Sequence, residues 1–328
     1  MTNTFTFRPF MGKQDFAAAA EIQSASFAAD GIPFAETAQS IENYWTGRSD
    51  FAPERDVIFA EMNGQPAGYG RVRFYTNDVG EQVAWHEVCA AKEARAAGAY
   101  PALFKWCIAH STELARANPH TGPRFFQTSV VGAMTEEIAL LQNAEFTPFR
   151  YGFLMKRDLS APIPDLPLPA GVETRAVAPA QFKAIFAARN EAFRDHFGHR
   201  EATESEMEGW GKDPFSRQDL WQVAWDARTN EVAGEVHVSI ITSDNEAYGL
   251  KRGWTDPIAV RRPYRRQGLA KALIARGMMA LRAVGMTEAC LGVDAQNPNG
   301  ALKLYEDMGF VVDMKTFQYR KILTLDHE

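Results

Sequence analysis

The sequence predicts an α+β protein made of two similar halves. Three observations point to it. At 328 residues the chain exceeds one typical domain and is long enough to bury two cores. Proline stands at 162, 164, 167 and 169, so this stretch cannot form a regular helix and should run as a stiff extended linker. On both sides of it the same order of elements is readable: a strand, helices, a run of strands, a long helix, a strand, a short helix and closing strands. The expected division is a first domain over residues 1–160, a linker over 161–170 and a second domain over 171–328.

In the first half, residues 5–9 read as a strand and 15–27 as a helix. Strands follow at 57–62, 67–75 and 82–89, and a glycine turn leads into a helix over 101–117. In the second half the matching pieces are strands at 172–176, 221–226, 232–241 and 253–260, with helices at 179–193 and 269–284. The helix from 269 presents Leu273, Gly277, Ala280 and Val284 as one stripe, as core packing requires.

Composition excludes several function classes. A net charge of -6 and a pI near 5.7 argue against general binding to nucleic acid or anionic membrane. Three cysteines, Cys89, Cys107 and Cys290, form no close pair and support neither a disulfide framework nor a zinc knuckle. The start of the sequence has no basic segment followed by an apolar core, and no run is long enough to span a bilayer, so the cytoplasm is the expected compartment. Against the acidic background, Lys251, Arg252, Arg261, Arg262, Arg265 and Arg266 crowd into one window, as an anion site requires.

That window contains the most informative stretch, Arg265-Arg266-Gln267-Gly268-Leu269-Ala270, lying between an apolar run that ends at Val260 and a helix. Glycine lets the backbone approach a ligand closely, amides at a helix start carry partial positive charge, and arginines add full charges; together they suggest a polyphosphate cradle. Downstream, Asn297-Pro298-Asn299-Gly300 precedes a short helix that contains Leu304-Tyr305 and ends at Gly309-Phe310.

Arg265-x-x-Gly268-x-Ala270 followed by Leu304-Tyr305 and Gly309-Phe310 resembles the GNAT superfamily of N-acetyltransferases, in its tandem two-domain type. The resemblance implies tandem domains, each a mixed, mostly antiparallel sheet flanked by helices. It also implies acetyl-coenzyme A as cosubstrate, and no metal. Ile258, Ala259 and Val260 would contact the pantetheine, and Arg265, Arg266, Gln267, Gly268, Leu269, Ala270 and Lys271 the pyrophosphate. Asn297 or Asn299 would meet the cofactor arm, main-chain amides near Ala259 and Val260 would polarise the thioester carbonyl, and Tyr305 would protonate the leaving thiolate.

The base is more open. Asp256 stands four residues before Val260 on the same presumed strand, so alternation points both side chains to one face, while Glu235 and His237 on the neighbouring strand are alternatives. Residues 192–200, with Glu201, Glu204, Glu206 and Glu208 beyond them, fall where an acceptor is gripped in that family. The glutamates also suit a solvated helix face.

The first half carries the motif in worn form. Aligning Gly98 with Gly268 places Arg95 under Arg265 but Tyr100 under Ala270; aligning Phe146 with Phe310 places Leu141 under Tyr305 and Glu145 under Gly309. The expectation is an acetyltransferase acting from the carboxyl-terminal domain, moving acetyl from acetyl-coenzyme A to a primary amine of a small molecule by direct attack. No placed Cys–His pair suggests an acyl-enzyme. A non-catalytic acyl-coenzyme A binder or sensor is the alternative. A monomer or homodimer is expected, with no nucleic-acid or membrane partner.

Overall fold

In the computed structural model, residues 5–48, 50–77, 79–194, 196, 201, 203, 213–297 and 300–325 are described. The chain separates into two units, one of residues 1–150 with 316–328 and one of residues 151–315. This division differs from a boundary at the proline stretch. The last strand, Val311–Ile322, gives its second half to the first unit, where 316–322 runs antiparallel to Arg124–Val131.

In the first unit Phe5–Pro9, Val57–Met62, Gln65–Thr76 and Gln82–Ala90 form an antiparallel meander. Gln82–Ala90 then pairs parallel with Arg124–Val131, the helix Ala99–Ala117 making the crossover. Leu103, Cys107 and Leu141 are buried in the core, together with Tyr319 and Leu323 from the end of the chain.

The second unit repeats this plan. Val172–Arg175, Gln222–Asp226, Val232–Val236 and Ile258–Val260 form one antiparallel sheet. Residues 152–158 run antiparallel to Glu288–Asp294, which is parallel to Arg252–Trp254. Each unit is therefore a mixed, mostly antiparallel sheet arrangement with a single kind of parallel pairing, flanked by helices. The helix Leu269–Ala283 buries Leu269, Ala272, Leu273, Ile274, Met278 and Leu281, a stripe at helical spacing. Leu273 and Ile274 are fully covered and each contributes roughly 1.5–3 kcal/mol by leaving water.

Two expectations change. The proline stretch takes neither helix nor strand, but it is no free spacer: Ile163, Leu166 and Leu168 pack on the second unit's core, and the Arg157 guanidinium donates to the Pro162 carbonyl at 2.6 Å. The strand expected over 253–260 is two strands. Arg252–Trp254 pairs with Glu288–Asp294, whereas Ile258–Val260 pairs with Val232–Val236 in the other sheet. Pro257, which has no N–H to give to a ladder, sits in the break.

Candidate functional site

That break opens the second unit. The Thr255 amide donates to the Cys290 carbonyl at 2.8 Å, and the Asp256 carboxylate accepts from the Gly292 amide at 3.0 Å. Beyond this point Ile258–Val260 and Glu288–Asp294 part. The bonds from His237 N–H to the Pro257 carbonyl (3.1 Å) and from Arg261 N–H to the Ala233 carbonyl (3.0 Å) fix the phase of the antiparallel ladder. Residues 257, 259 and 261 therefore turn their peptide groups toward Val232–Val236, and the amides of Ile258 and Val260 face the opening.

A cleft of about 400 Å³ occupies the opening. Its walls include Ile258, Ala259, Val260, Arg265, Arg266, Gly268, Leu269, Ala270, Lys271, Asn297 and Tyr305. A recess of about 400 Å³, lined by Asp256, Pro257, Gly292, Val293 and Asp294, shares Phe193, His196, Ile258, Asn297, Ala301 and Tyr305 with it. Thus the expected cofactor residues are brought together, except that Gln267 turns its amide to the Pro263 carbonyl at 2.9 Å and lies off the lining. Asn299 lies outside the described residues, as do Asp195, residues 197–200, Glu204, Glu206 and Glu208.

The turn before the helix has the character of an anion cradle. Arg266 has φ of 62° and Gly268 of 84°, left-handed backbone that favours glycine and that curls successive amides toward one point. The first helical bond is Ala272 N–H to the Gly268 carbonyl at 3.1 Å, so the amides of Leu269, Ala270 and Lys271 have no acceptor among the described residues. A Cβ built on Gly268 meets nothing within 4 Å, which leaves open space over those amides. A diphosphate suits this donor set.

Arg265 does a different job from the one expected. Its guanidinium donates to the Val260 carbonyl at 3.0 Å and the Ala192 carbonyl at 3.0 Å, tying the turn to the end of the strand and to the helix Phe182–Phe193. The basic window is likewise not one patch. Arg252 bonds Glu288 at 3.1 Å and Arg261 bonds Glu191 at 2.8 Å, both away from the turn. Lys303, which sequence reasoning did not single out, lines the cleft in their place, and both it and Lys271 contact Asp307.

Tyr305 is 8 % exposed, its hydroxyl has no hydrogen-bond partner among the described residues, and it lines both spaces. Burial, reinforced by the Asp256 carboxylate, raises its pKa, so the phenol holds its proton. Asp256 is half-buried, and the loss of water pushes it from an ordinary 3.8 up to about 6 against the stabilising Gly292 amide bond. It does not share a strand face with Val260, as alternation suggested; it stands in the break between two strands.

Glu235 is the site residue that the geometry removes. It is fully buried, bonded to Arg189 at 2.6 Å and to His237 at 3.0 Å, and absent from the lining of both spaces. Although burial alone would raise its pKa, the Arg189 and His237 partners hold it down to about 2, too weak a base to take a proton from an amine. His237 is stacked on Trp221, with ring centroids 3.4 Å apart, and burial lowers its pKa. Alternation along a strand cannot distinguish a residue facing a cleft from one facing a buried cation.

The corresponding turn in the first unit keeps its left-handed glycine, but its arginine is committed to other side chains. Gly98 has φ of 83° ahead of Ala99–Ala117, matching Gly268. There, however, Arg95 is bound to Asp30 at 2.8 Å and to Ser26 at 2.7 Å, with its guanidinium 5.1 Å from the Tyr100 ring centroid. Glu137 is buried beside Tyr100 and pushed up to about 8, Leu141 is fully buried, and Glu145 holds φ of 63° where the second unit has Gly309.

Comparisons with known proteins place the chain among acetyltransferase relatives. Residues 182–310 match the acetyltransferase (GNAT) family. Mycothiol acetyltransferase from Salinispora tropica is 29% identical over 268 residues, covering 80% of this chain and 80% of that protein. Its counterpart from Streptomyces scabiei is 31% identical over 55% of this chain and 56% of its own length. A GCN5-related N-acetyltransferase structure from Sphaerobacter thermophilus aligns with a TM-score of 0.71 at 22% identity, over 97% of this chain and 95% of that one. A tandem GNAT protein from the clavulanic acid biosynthesis pathway aligns with a TM-score of 0.65 at 17% identity, over 99% and 100%. The last two likenesses speak to the fold.

Proposed function

Because residues 182–310 match the acetyltransferase (GNAT) family and the relatives that match are acetyltransferases by name, we propose that the second unit moves acetyl from acetyl-coenzyme A to a primary amine of a small molecule by direct attack. One observation carries the reading: a cradle of unpaired amides opens into a cleft whose unpartnered phenol, Tyr305, also lines the adjoining recess, where a carboxylate is raised to about 6. The relatives named mycothiol acetyltransferase favour a small-molecule acceptor. No helix among the described residues is long and apolar enough to cross a membrane.

In this reading the amides of Leu269, Ala270 and Lys271 hold the diphosphate, with Arg266 beside it, and Arg265 braces the turn rather than touching phosphate. Val260 and Ile258 present amides to the thioester, where one polarises its carbonyl. Asp256 takes a proton from the incoming ammonium, freeing a lone pair that forms the C–N bond. As the C–S bond breaks, Tyr305 gives its proton to the thiolate and regains one from the nitrogen that becomes an amide. The products are an N-acetyl amine and a free thiol. The first unit, with Arg95 bound to Asp30 and the fully buried Leu141 in the place of Tyr305, we read as non-catalytic.

Thiol release from acetyl-coenzyme A over a panel of amines tests the reading. Tyr305→Phe is expected to lower kcat roughly 100-fold or more while leaving the Kd of acetyl-coenzyme A unchanged. Equal turnover in that variant removes Tyr305 from the reaction, and tight binding with no thiol release for any amine returns the chain to a binding protein.

A further inference from the structure

Resting on that reading, we propose that Arg265 is a positioning residue for the acceptor: it acts on the amine through the helix Phe182–Phe193, and not on the cofactor. The last turn of a helix leaves carbonyls without an intrahelical donor, and a cation placed there also answers the helix dipole. Arg265 fills that place. Its guanidinium donates to the Ala192 carbonyl and to the Val260 carbonyl, each at 3.0 Å, so one side chain ties the helix end to the end of Ile258–Val260. Arg261 supplies a second staple, bonding Glu191 at 2.8 Å. About one turn further back, Arg189 is bonded to Glu235 at 2.6 Å, which sets the same helix on Val232–Val236.

What these staples hold is a wall of the site. Ala192 and Phe193 border the cleft, and Phe193 also borders the recess, its ring centroid 4.3 Å from that of His196, which lines both spaces. The diphosphate is met from the other side, by the main-chain amides of Leu269, Ala270 and Lys271 beyond Gly268. A guanidinium that turned to phosphate would take its donor away from the carbonyl of Ala192, a buried residue. Loss of the Arg265 side chain therefore frees the helix end, and Phe193 moves where the amine must meet the thioester. A small displacement there is costly, because attack requires close alignment of the reacting atoms. The first basic residue of the cradle thus serves the other substrate.

The experiment uses the full chain, an amine that it acetylates, and two readouts: the Kd of acetyl-coenzyme A by calorimetry, and kcat/KM of the amine at saturating acetyl-coenzyme A. Arg265→Met should lower kcat/KM of the amine about tenfold or more and leave the Kd within about twofold. Arg265→Lys, which keeps a cation at the helix end, should recover part of the loss. Glu191→Ala, which removes only the Arg261 staple, should shift the amine kinetics in the same direction by less. Should Arg265→Met fail to fold, the last two variants carry the test, and unchanged amine kinetics in both overturns the proposal. A Kd weakened tenfold in Arg265→Met assigns the side chain to phosphate and overturns it too, as does no change in either readout; acetyl transfer stands in each case. An unaltered chain that binds acetyl-coenzyme A and acetylates no amine overturns the acetyl-transfer reading, and this role with it.

Discussion

Replacing Asp256 with asparagine should make the protein more stable near neutral pH and less active. In the folded chain this carboxyl binds its proton more tightly than in the unfolded chain, with about 6 replacing an ordinary 3.8. Below 3.8 both states are protonated and nothing is lost. Between 3.8 and about 6 the unfolded state ionises while the folded state still holds its proton, so folding stability falls as pH rises; above about 6 the loss is complete. At ~1.4 kcal/mol per pH unit the full shift corresponds to about 3 kcal/mol, and water reaching a half-buried group brings it to about 1–3 kcal/mol. The asparagine side chain can still accept from the Gly292 amide and carries no charge to desolvate. Chemical denaturation of both proteins from pH 3.5 to 8 should show a stability difference that grows by this amount across the window. At the same time the rise of kcat/KM through pH about 6 should disappear in the variant. A stability difference that stays flat from pH 3.5 to 8 refutes the reasoning, because it means that the folded carboxyl titrates like a free one.

Three further outcomes follow from the same geometry. Gly268→Glu should weaken acetyl-coenzyme A binding by 100-fold or more, by setting a carboxylate against phosphate and a side chain at φ of 84°; Gly268→Ala, which adds only the backbone strain of roughly 1 kcal/mol, should have a far smaller effect, and calorimetry separates the two. Glu235→Gln leaves Arg189 buried without its counter-charge and should cost about 3–5 kcal/mol in denaturation, while the pH profile of whatever activity remains keeps its shape. Titration with acetyl-coenzyme A should end at one molecule per chain, since in the first unit Arg95 is bound to Asp30 and Glu137 is buried with a raised pKa beside Tyr100; two equal sites contradict that.

The turn before the helix was legible because its requirement is local: a left-handed residue before a helix calls for glycine, and Gly268 stands there with basic neighbours. The repeated order of elements was legible for a similar reason, since periodicity reports each segment by itself. What a charged side chain faces was not. Arg265 and Glu235 have residue types suited to phosphate binding and proton transfer, yet one is engaged by the Ala192 carbonyl and the other by Arg189, partners that are 73 and 46 residues away in sequence. Asp256 was found by an alternation argument that fails, because Pro257 interrupts the strand; its position at the recess depends on the parting of two sheets, which no local pattern encodes. Lys303 went unmarked for the same reason.

The way the last strand is shared has a practical consequence for anyone wishing to study the halves apart. A gene cut at the prolines leaves the amino-terminal product without residues 316–328, and so without Tyr319 and Leu323 and the backbone that zips onto Arg124–Val131. The carboxyl-terminal product would meanwhile lose residues 151–158, the neighbour of Glu288–Asp294. Either half made alone this way begins life with a raw sheet margin, so insolubility on its expression would report a misplaced cut rather than an inability of that half to fold.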